Sequence, residues 1–146
     1  SPFEDWERLW VTHEITQDFR LPGRRDLLYL VLCTLMKNAL QALRGRDRPS
    51  LRIEAGCESV GDAARAWLRF VDNGAGIPPD VLARLTREPV TTRAGSGGNG
   101  MGLMFCQRVM NAAGGSVRLE STVGEGTTVI LRFERSVQPV PQAASA

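Results

Sequence analysis

Apolar residues recur along the chain in two rhythms, one of three to four residues and one of two. Leu28, Val31, Leu32, Leu35, Ala39 and Leu43 follow the first and line one face of a long helix. Pro22-Gly23 turns the chain ahead of it, and Asp26 can cap or charge its start. Arg44 to Ser50 is a polar break. Leu51 to Ala55 then alternates as a strand, Ala66 to Val71 gives another, and Glu58 to Ala63 reads as the hairpin loop between them. Pro78-Pro79-Asp80 opens a short helix through Leu85. Met101 to Ala113 forms a third helix, stopped by Gly114-Gly115. Two final strands, Ser116 to Ser121 and Thr127 to Phe133, join through Gly124-Glu125-Gly126, and residues 9–21 alternate loosely enough for a first strand. No internal repeat is present. Neighbouring strands can pair as hairpins while the helices cover one face. The expected fold is an α/β two-layer sandwich, a mixed sheet covered by about three helices.

Composition narrows the class of protein. At 146 residues, 42% hydrophobic and 23% charged, the chain fits one globular domain with a core of its own. The folded domain is expected over 1–135, and 136–146, rich in Pro, Gln, Ala and Ser, as a disordered tail or linker. No run approaches the ~20 apolar residues of a membrane span, and the start lacks the pattern of a secretion signal. The missing initiator Met points to a processed or excised chain. Cys33, Cys57 and Cys106 have no metal-ligand spacing and sit in apolar surroundings, as reduced core residues of a cytoplasmic protein do. A net charge of +2, with Lys37 the only Lys, argues against nucleic acid as a partner.

Three separated stretches carry candidate chemistry. Asn38 lies at the edge of the apolar stripe of the first helix, on the face of Thr34. A helix-surface Asn fits that position; so does a neutral oxygen ligand for Mg²⁺. Asp72-Asn73-Gly74-Ala75-Gly76-Ile77 follows a strand directly. It can be a plain turn, or a carboxylate placed to accept a hydrogen bond from an exocyclic amine, with glycines allowing close backbone approach. Gly98-Asn99-Gly100-Met101-Gly102-Leu103 leads into a helix whose free N–H groups suit phosphates, although a flexible linker would read the same way. It is neither a Walker A loop nor a Rossmann fingerprint.

Together these stretches resemble the sensor histidine kinase family of the GHKL ATPase/kinase superfamily. Asn38-Ala39 matches its N box, Asp72-x-Gly74-x-Gly76-Ile77 its G1 box, and Gly98-x-Gly100-x-Gly102-Leu103 its G2 box. Residues 114–128 match its last hairpin, so the resemblance spans about 17–134 in order. It implies a Bergerat-type ATP-binding fold. Asp72 would bind the adenine amine, Gly74 and Gly76 would give room beside the ring, and Ile77 would line the site. Asn38 would hold Mg²⁺. Gly98, Gly100, Met101, Gly102 and Leu103 would wrap the phosphates as part of a lid over about 87–100, with Thr92 in that lid and Thr127 at the nucleotide floor. Arg93 would contact the γ-phosphate as a catalytic group, although a solvated loop Arg fits the same position.

Some positions depart from the family pattern. Thr34 stands where kinases commonly have a second Asn and where hydrolytic relatives have a Glu, which favours phosphotransfer over hydrolysis. Glu88 to Arg93 lacks the phenylalanines usual in the F box. His13, the only histidine, lacks the context of a phospho-acceptor and lies 25 positions before Asn38, too few for a helical hairpin between them. The resemblance thus implies transfer from ATP to a histidine on a separate dimerisation domain, then to a response-regulator receiver domain. It implies no nucleic-acid partner and no membrane contact by this domain. A protein-serine kinase or anti-sigma relative and a non-catalytic nucleotide-dependent module stay open.

Overall fold

The computed structural model describes residues 10–15, 24–87 and 99–136. Helix α1 (Arg25–Leu43) buries Leu28, Val31, Leu35, Ala39, Leu40 and Leu43, the face that the apolar spacing predicts. Arg24 makes no side-chain capping bond. Asp26 charges the first turn and pairs with Arg24 at 2.9 Å on the open surface, where such pairs contribute little. α1 has the length and apolarity of a membrane span, which the sequence reading did not expect of any segment. One face of it, Leu28, Val31, Leu35, Ala39, Leu40 and Leu43, is packed into the domain core, while Tyr29 and Leu30 are exposed.

The other elements are β1 (Val11–Ile15), β2 (Leu51–Val60), β3 (Ala63–Asp72), α2 (Pro79–Arg87), α3 (Asn99–Ala112), β4 (Gly115–Thr122) and β5 (Gly126–Ser136). They form a five-stranded sheet in the order β1-β2-β3-β5-β4, in which β1 and β2 are parallel and the other pairs antiparallel. α1 is the crossover between the parallel strands. The fold is the expected mixed α/β sandwich.

The β2–β3 turn is shorter than the sequence suggested. The ladder runs to Val60↔Ala63, which leaves only Gly61-Asp62 outside it, with Gly61 at φ 63°. Glu58 and Ser59 are polar because they end a hairpin exposed to water, not because they leave the strand.

Strand alternation divides the sheet into two faces. Ala66 and Phe70 on β3, and Leu131 and Phe133 on β5, pack with α1 and α3 into one core. Val31, Leu43, Leu51, Cys106 and Met110 are also fully buried there. Each large apolar side chain so placed contributes roughly 1.5–3 kcal/mol. Of the cysteines only Cys106 is fully buried; Cys33 and Cys57 are half-buried. Burial pushes the Cys106 thiol up to about 12, so it stays protonated and unreactive. On the opposite face Arg69 lies over the Trp67 ring at 5.1 Å and donates to Glu54 at 2.6 Å.

Candidate functional site

Asp72 ends β3 level with Leu51 on one side and Thr127 on the other. Its position alternates with Phe70, so its carboxylate faces the helices and is only 8% exposed. Oδ1 accepts the Gly74 amide at 2.9 Å and the Thr127 amide at 3.2 Å. Oδ2 has no hydrogen-bond donor among the described residues. A carboxylate oxygen left free in this way on a buried residue can receive a donor from a ligand. Burial raises the Asp72 carboxyl above the usual carboxylate range, and the Gly74 and Thr127 amides oppose that shift. A carboxyl raised in the folded state favours the fold at low pH. That contribution disappears as pH rises through the raised value, so at neutral pH the ionised group costs stability.

The carboxylate opens into a cavity of about 280 Å³. The sheet supplies Phe70, Leu119, Thr127 and Val129; α1 supplies Leu35, Asn38, Ala39, Gln41 and Ala42; and Leu85, Leu103 and Ala75 to Ile77 complete the walls. A mostly apolar cavity with a few polar groups, Asn38, Gln41, Asp72 and Thr127, suits a heterocycle. Among the described residues, the Asn38 side chain makes no hydrogen bond, which leaves its amide oxygen available. Thr34 is different: its hydroxyl donates to the Leu30 carbonyl at 2.7 Å and so is held by its own helix.

The glycines of this segment also let the chain pack closely against itself. A Cβ on Gly74 would lie 2.7 Å from the Ala42 carbonyl oxygen. Gly76, at φ 80°, would run into the Thr122 carbonyl. The space beside each is therefore filled by the chain itself. They allow the segment to be gripped between α1 and the β4–β5 turn, and Gly76 also lines the cavity. On α3, a Cβ at Gly102 would come within 3.0 Å of Thr34 Cγ2 and 3.8 Å of Asn38 Nδ2, so this glycine brings the start of α3 against the Asn38 face of α1.

Of the residues expected from the sequence, Asn38, Asp72, Gly76, Ile77, Leu103 and Thr127 line the cavity together. Gly74 lies behind it, and Gly100 and Met101 lie in the first turn of α3. Thr92, Arg93 and Gly98 fall outside the described residues. Ser121 was read only as a strand end. Its hydroxyl lies 2.8 Å from that of Thr127, donates to Gly126 O at 2.9 Å and accepts the Ile77 amide at 2.8 Å. Its place opposite Thr127 in the β4–β5 register was the one available clue. Phe70, Leu119 and Val129 read simply as core because strand periodicity does not separate a core face from a cavity floor.

The fold and cavity are those of a nucleotide-binding ATPase-type domain. Residues 23–137 match the family described as histidine kinase-, DNA gyrase B-, and HSP90-like ATPase, and the chain belongs to that family. Its relatives there include sensor histidine kinases, and the chain is a catalytic domain of that kind. It is 34% identical over 125 residues to the CAI-1 autoinducer sensor kinase/phosphatase CqsS of Vibrio cholerae, covering 86% of this chain and 17% of that protein. It is 36% identical over 107 residues to the signal transduction histidine-protein kinase AtoS of Escherichia coli, covering 73% of this chain and 16% of that one. The chain thus spans about a sixth of these relatives. Among solved structures, the mycobacterial sensor histidine kinase MprB superposes with a TM-score of 0.65 at 20% identity, covering 92% of this chain and 87% of the other. Full-length ShkA in complex with AMPPNP superposes with a TM-score of 0.67 at 20% identity, covering 90% and 26%.

Proposed function

We propose that the cavity holds the adenine of ATP against Asp72, and that the domain passes the γ-phosphoryl group to a histidine on a separate dimerisation domain. The free Oδ2 of Asp72 carries this reading: it is an acceptor on a buried residue that lines a mostly apolar cavity, matched to an exocyclic amine. Family membership supports it, as does the AMPPNP bound in a protein of the same fold. The triphosphate then runs toward Asn38 and the first turn of α3. Mg²⁺ fits there as a shared ligand. The Asn38 amide oxygen is a hard donor, and no group of three or more His, Cys, Asp or Glu stands among the described residues to hold a cation alone. When bound, Mg²⁺ would neutralise phosphate charge; Asn38 would orient it, and α3 would direct its free N–H groups at the phosphate oxygens.

In the transfer, the bond between the γ-phosphorus and its bridging oxygen breaks as a bond to the histidine nitrogen forms, and ADP leaves. The protein contributes mainly position and charge. Arg93 would contact the γ-phosphate and Thr92 would lie in the lid. The phosphohistidine would in turn serve a response-regulator receiver domain, and dependence on ATP places the domain in the cytoplasm. His13 is not the acceptor: it lies within β1, in register with Ile53.

Mixing the chain with a histidine-bearing dimerisation domain from its own kinase and labelled ATP is expected to give acid-labile phosphate on that domain and none on His13. Asn38→Ala should leave metal-free nucleotide binding nearly intact, while removing most of the affinity gained on adding Mg²⁺ and most of the transfer. Label on His13 would overturn the reading.

Binding should also depend on pH in a defined direction. Protonating Asp72 removes the acceptor, so adenine-nucleotide affinity is expected to fall as pH drops through its raised pKa, at a higher pH than an ordinary Asp would require. Inosine nucleotides carry the same phosphates without the amine, so the ratio of ATP to ITP affinity isolates this effect. A ratio constant from neutral to mildly acid pH would exclude Asp72 as the titrating acceptor.

A further inference from the structure

The stretch from Asp72 to Ile77 has little regular structure of its own, yet it must hold a carboxylate in register with a ligand. Its backbone is tied on two sides. From the α1 side, Ala75 N–H donates to the Ala42 carbonyl at 3.3 Å, and Asn73 N–H to the Ser50 carbonyl at 3.2 Å. From the other side, Gly124 N–H donates to the Ala75 carbonyl at 2.8 Å. The Asn73 side chain adds a second tie to the loop after α1: its amide donates to Arg48 O at 2.9 Å, and its oxygen accepts the Ser50 amide at 2.8 Å. Arg48 is held at φ 53°, a left-handed conformation that a non-glycine residue adopts at a cost, and this places its carbonyl at Asn73.

Arg46 spans both sides. Its Nε donates to the Asn73 carbonyl at 3.2 Å and one terminal nitrogen to the Gly124 carbonyl at 2.8 Å. One side chain therefore joins the loop after α1, the residue following Asp72 and the β4–β5 turn. It does not line the cavity. Its partners here are two backbone carbonyls rather than a carboxylate, which suits the fixed fork of a guanidinium and not the single point of an ammonium.

We propose that Arg46 is a positioning residue for base recognition: by clamping the Asp72 segment between two loops, it sets how well the site distinguishes adenine from a base that lacks the exocyclic amine. The inference rests on the assignment of Asp72 to the adenine amine. A hydrogen bond to a buried carboxylate depends on placement to within about half an ångström. A loosened segment therefore loses the amine contact before it loses apolar stacking or the phosphates. Discrimination falls while the phosphate end of the site keeps working.

Titrating the chain and its Arg46→Met and Arg46→Lys variants with ATP and ITP, each with and without Mg²⁺, tests this. Arg46→Met is expected to lower the ATP-to-ITP affinity ratio about three- to tenfold, with ITP affinity and the gain from Mg²⁺ nearly unchanged. Arg46→Lys, which reaches one carbonyl well, should fall between the variant and the parent. If Arg46→Met does not fold by circular dichroism, the ratio is read on Arg46→Lys, which keeps the side-chain stem and charge. A parent-like ratio in the folded variants would overturn the proposal while leaving the Asp72 assignment intact. Equal loss of ATP and ITP would overturn it too, because it would show general loosening. A parent chain that does not prefer ATP over ITP would overturn the Asp72 assignment and the proposal together.

Discussion

Asp72→Asn is expected to weaken ATP and ADP binding roughly ten- to over a hundredfold, with or without Mg²⁺, and not to weaken inosine nucleotides, whose O6 can accept from the Asn NH₂. The present carboxylate divides its work, one oxygen taking the Gly74 and Thr127 amides and the other facing the cavity. An Asn can satisfy the two amides with its oxygen, but its NH₂ then meets the adenine amine donor to donor. Flipped, it presents the NH₂ to two backbone donors instead. Either way a charge-assisted hydrogen bond is lost and a donor left without an acceptor, on the order of 1.5–3 kcal/mol. The ligand-free variant should unfold at the same temperature as the parent or a higher one, because burial already disfavours the ionised carboxyl. Calorimetric titration and a thermal melt measure the two effects. ATP affinity equal to the parent's would remove Asp72 from the site.

The second large effect is on the fold and contrasts two glycines of one turn. Gly126 has φ 136°, and a Cβ there would strike the Asp72 carbonyl and lie 2.9 Å from Asn73 Cα. Gly124 has φ 84° with nothing within 4 Å of its would-be Cβ. Gly124→Ala therefore costs only the left-handed conformation, about 1–2 kcal/mol. Gly126→Ala adds a collision with the backbone of the Asp72 segment, for a total of roughly 3–5 kcal/mol, and should lower nucleotide affinity in whatever fraction stays folded. Urea unfolding gives both numbers. Equal losses would mean that the Gly126 contact relaxes freely.

Most of the fold could be read from periodicity because the faces are clean. The buried face of α1 is the one its three- and four-residue spacing marks, and the β4–β5 hairpin falls at its Gly-Glu-Gly signal. The turn at Gly61-Asp62 was read too long, as Glu58 to Ala63, because polar residues end the first strand, and composition there describes water exposure, not pairing. The site was legible where a residue type is chemically singular: a carboxylate at a strand end, an amide on an apolar helix. Contacts that arise only from tertiary approach were not legible. The chain fills the space beside Gly74 and Gly76, Ser121 connects Ile77 to Thr127, and Arg46 looked like one more charge in a polar break. Most of these partners are far apart in sequence: Arg46 is 78 residues from Gly124, and Ser121 is 44 from Ile77.

The parallel pairing of β1 with β2 determines how attached domains would reach the site. Val11 is level with Leu51, and Leu51 with Asp72, so the chain comes into the sheet at the cavity end. Ser136 is level with Arg65, roughly 23 Å along β3 from Asp72. A tether attached ahead of β1 starts at the Asp72 end of the sheet, whereas one attached behind β5 must first cover that distance. A flexible linker needs about 18 residues to do so on average. At equal length, a phospho-acceptor joined on the β1 side would meet the nucleotide at the higher effective concentration.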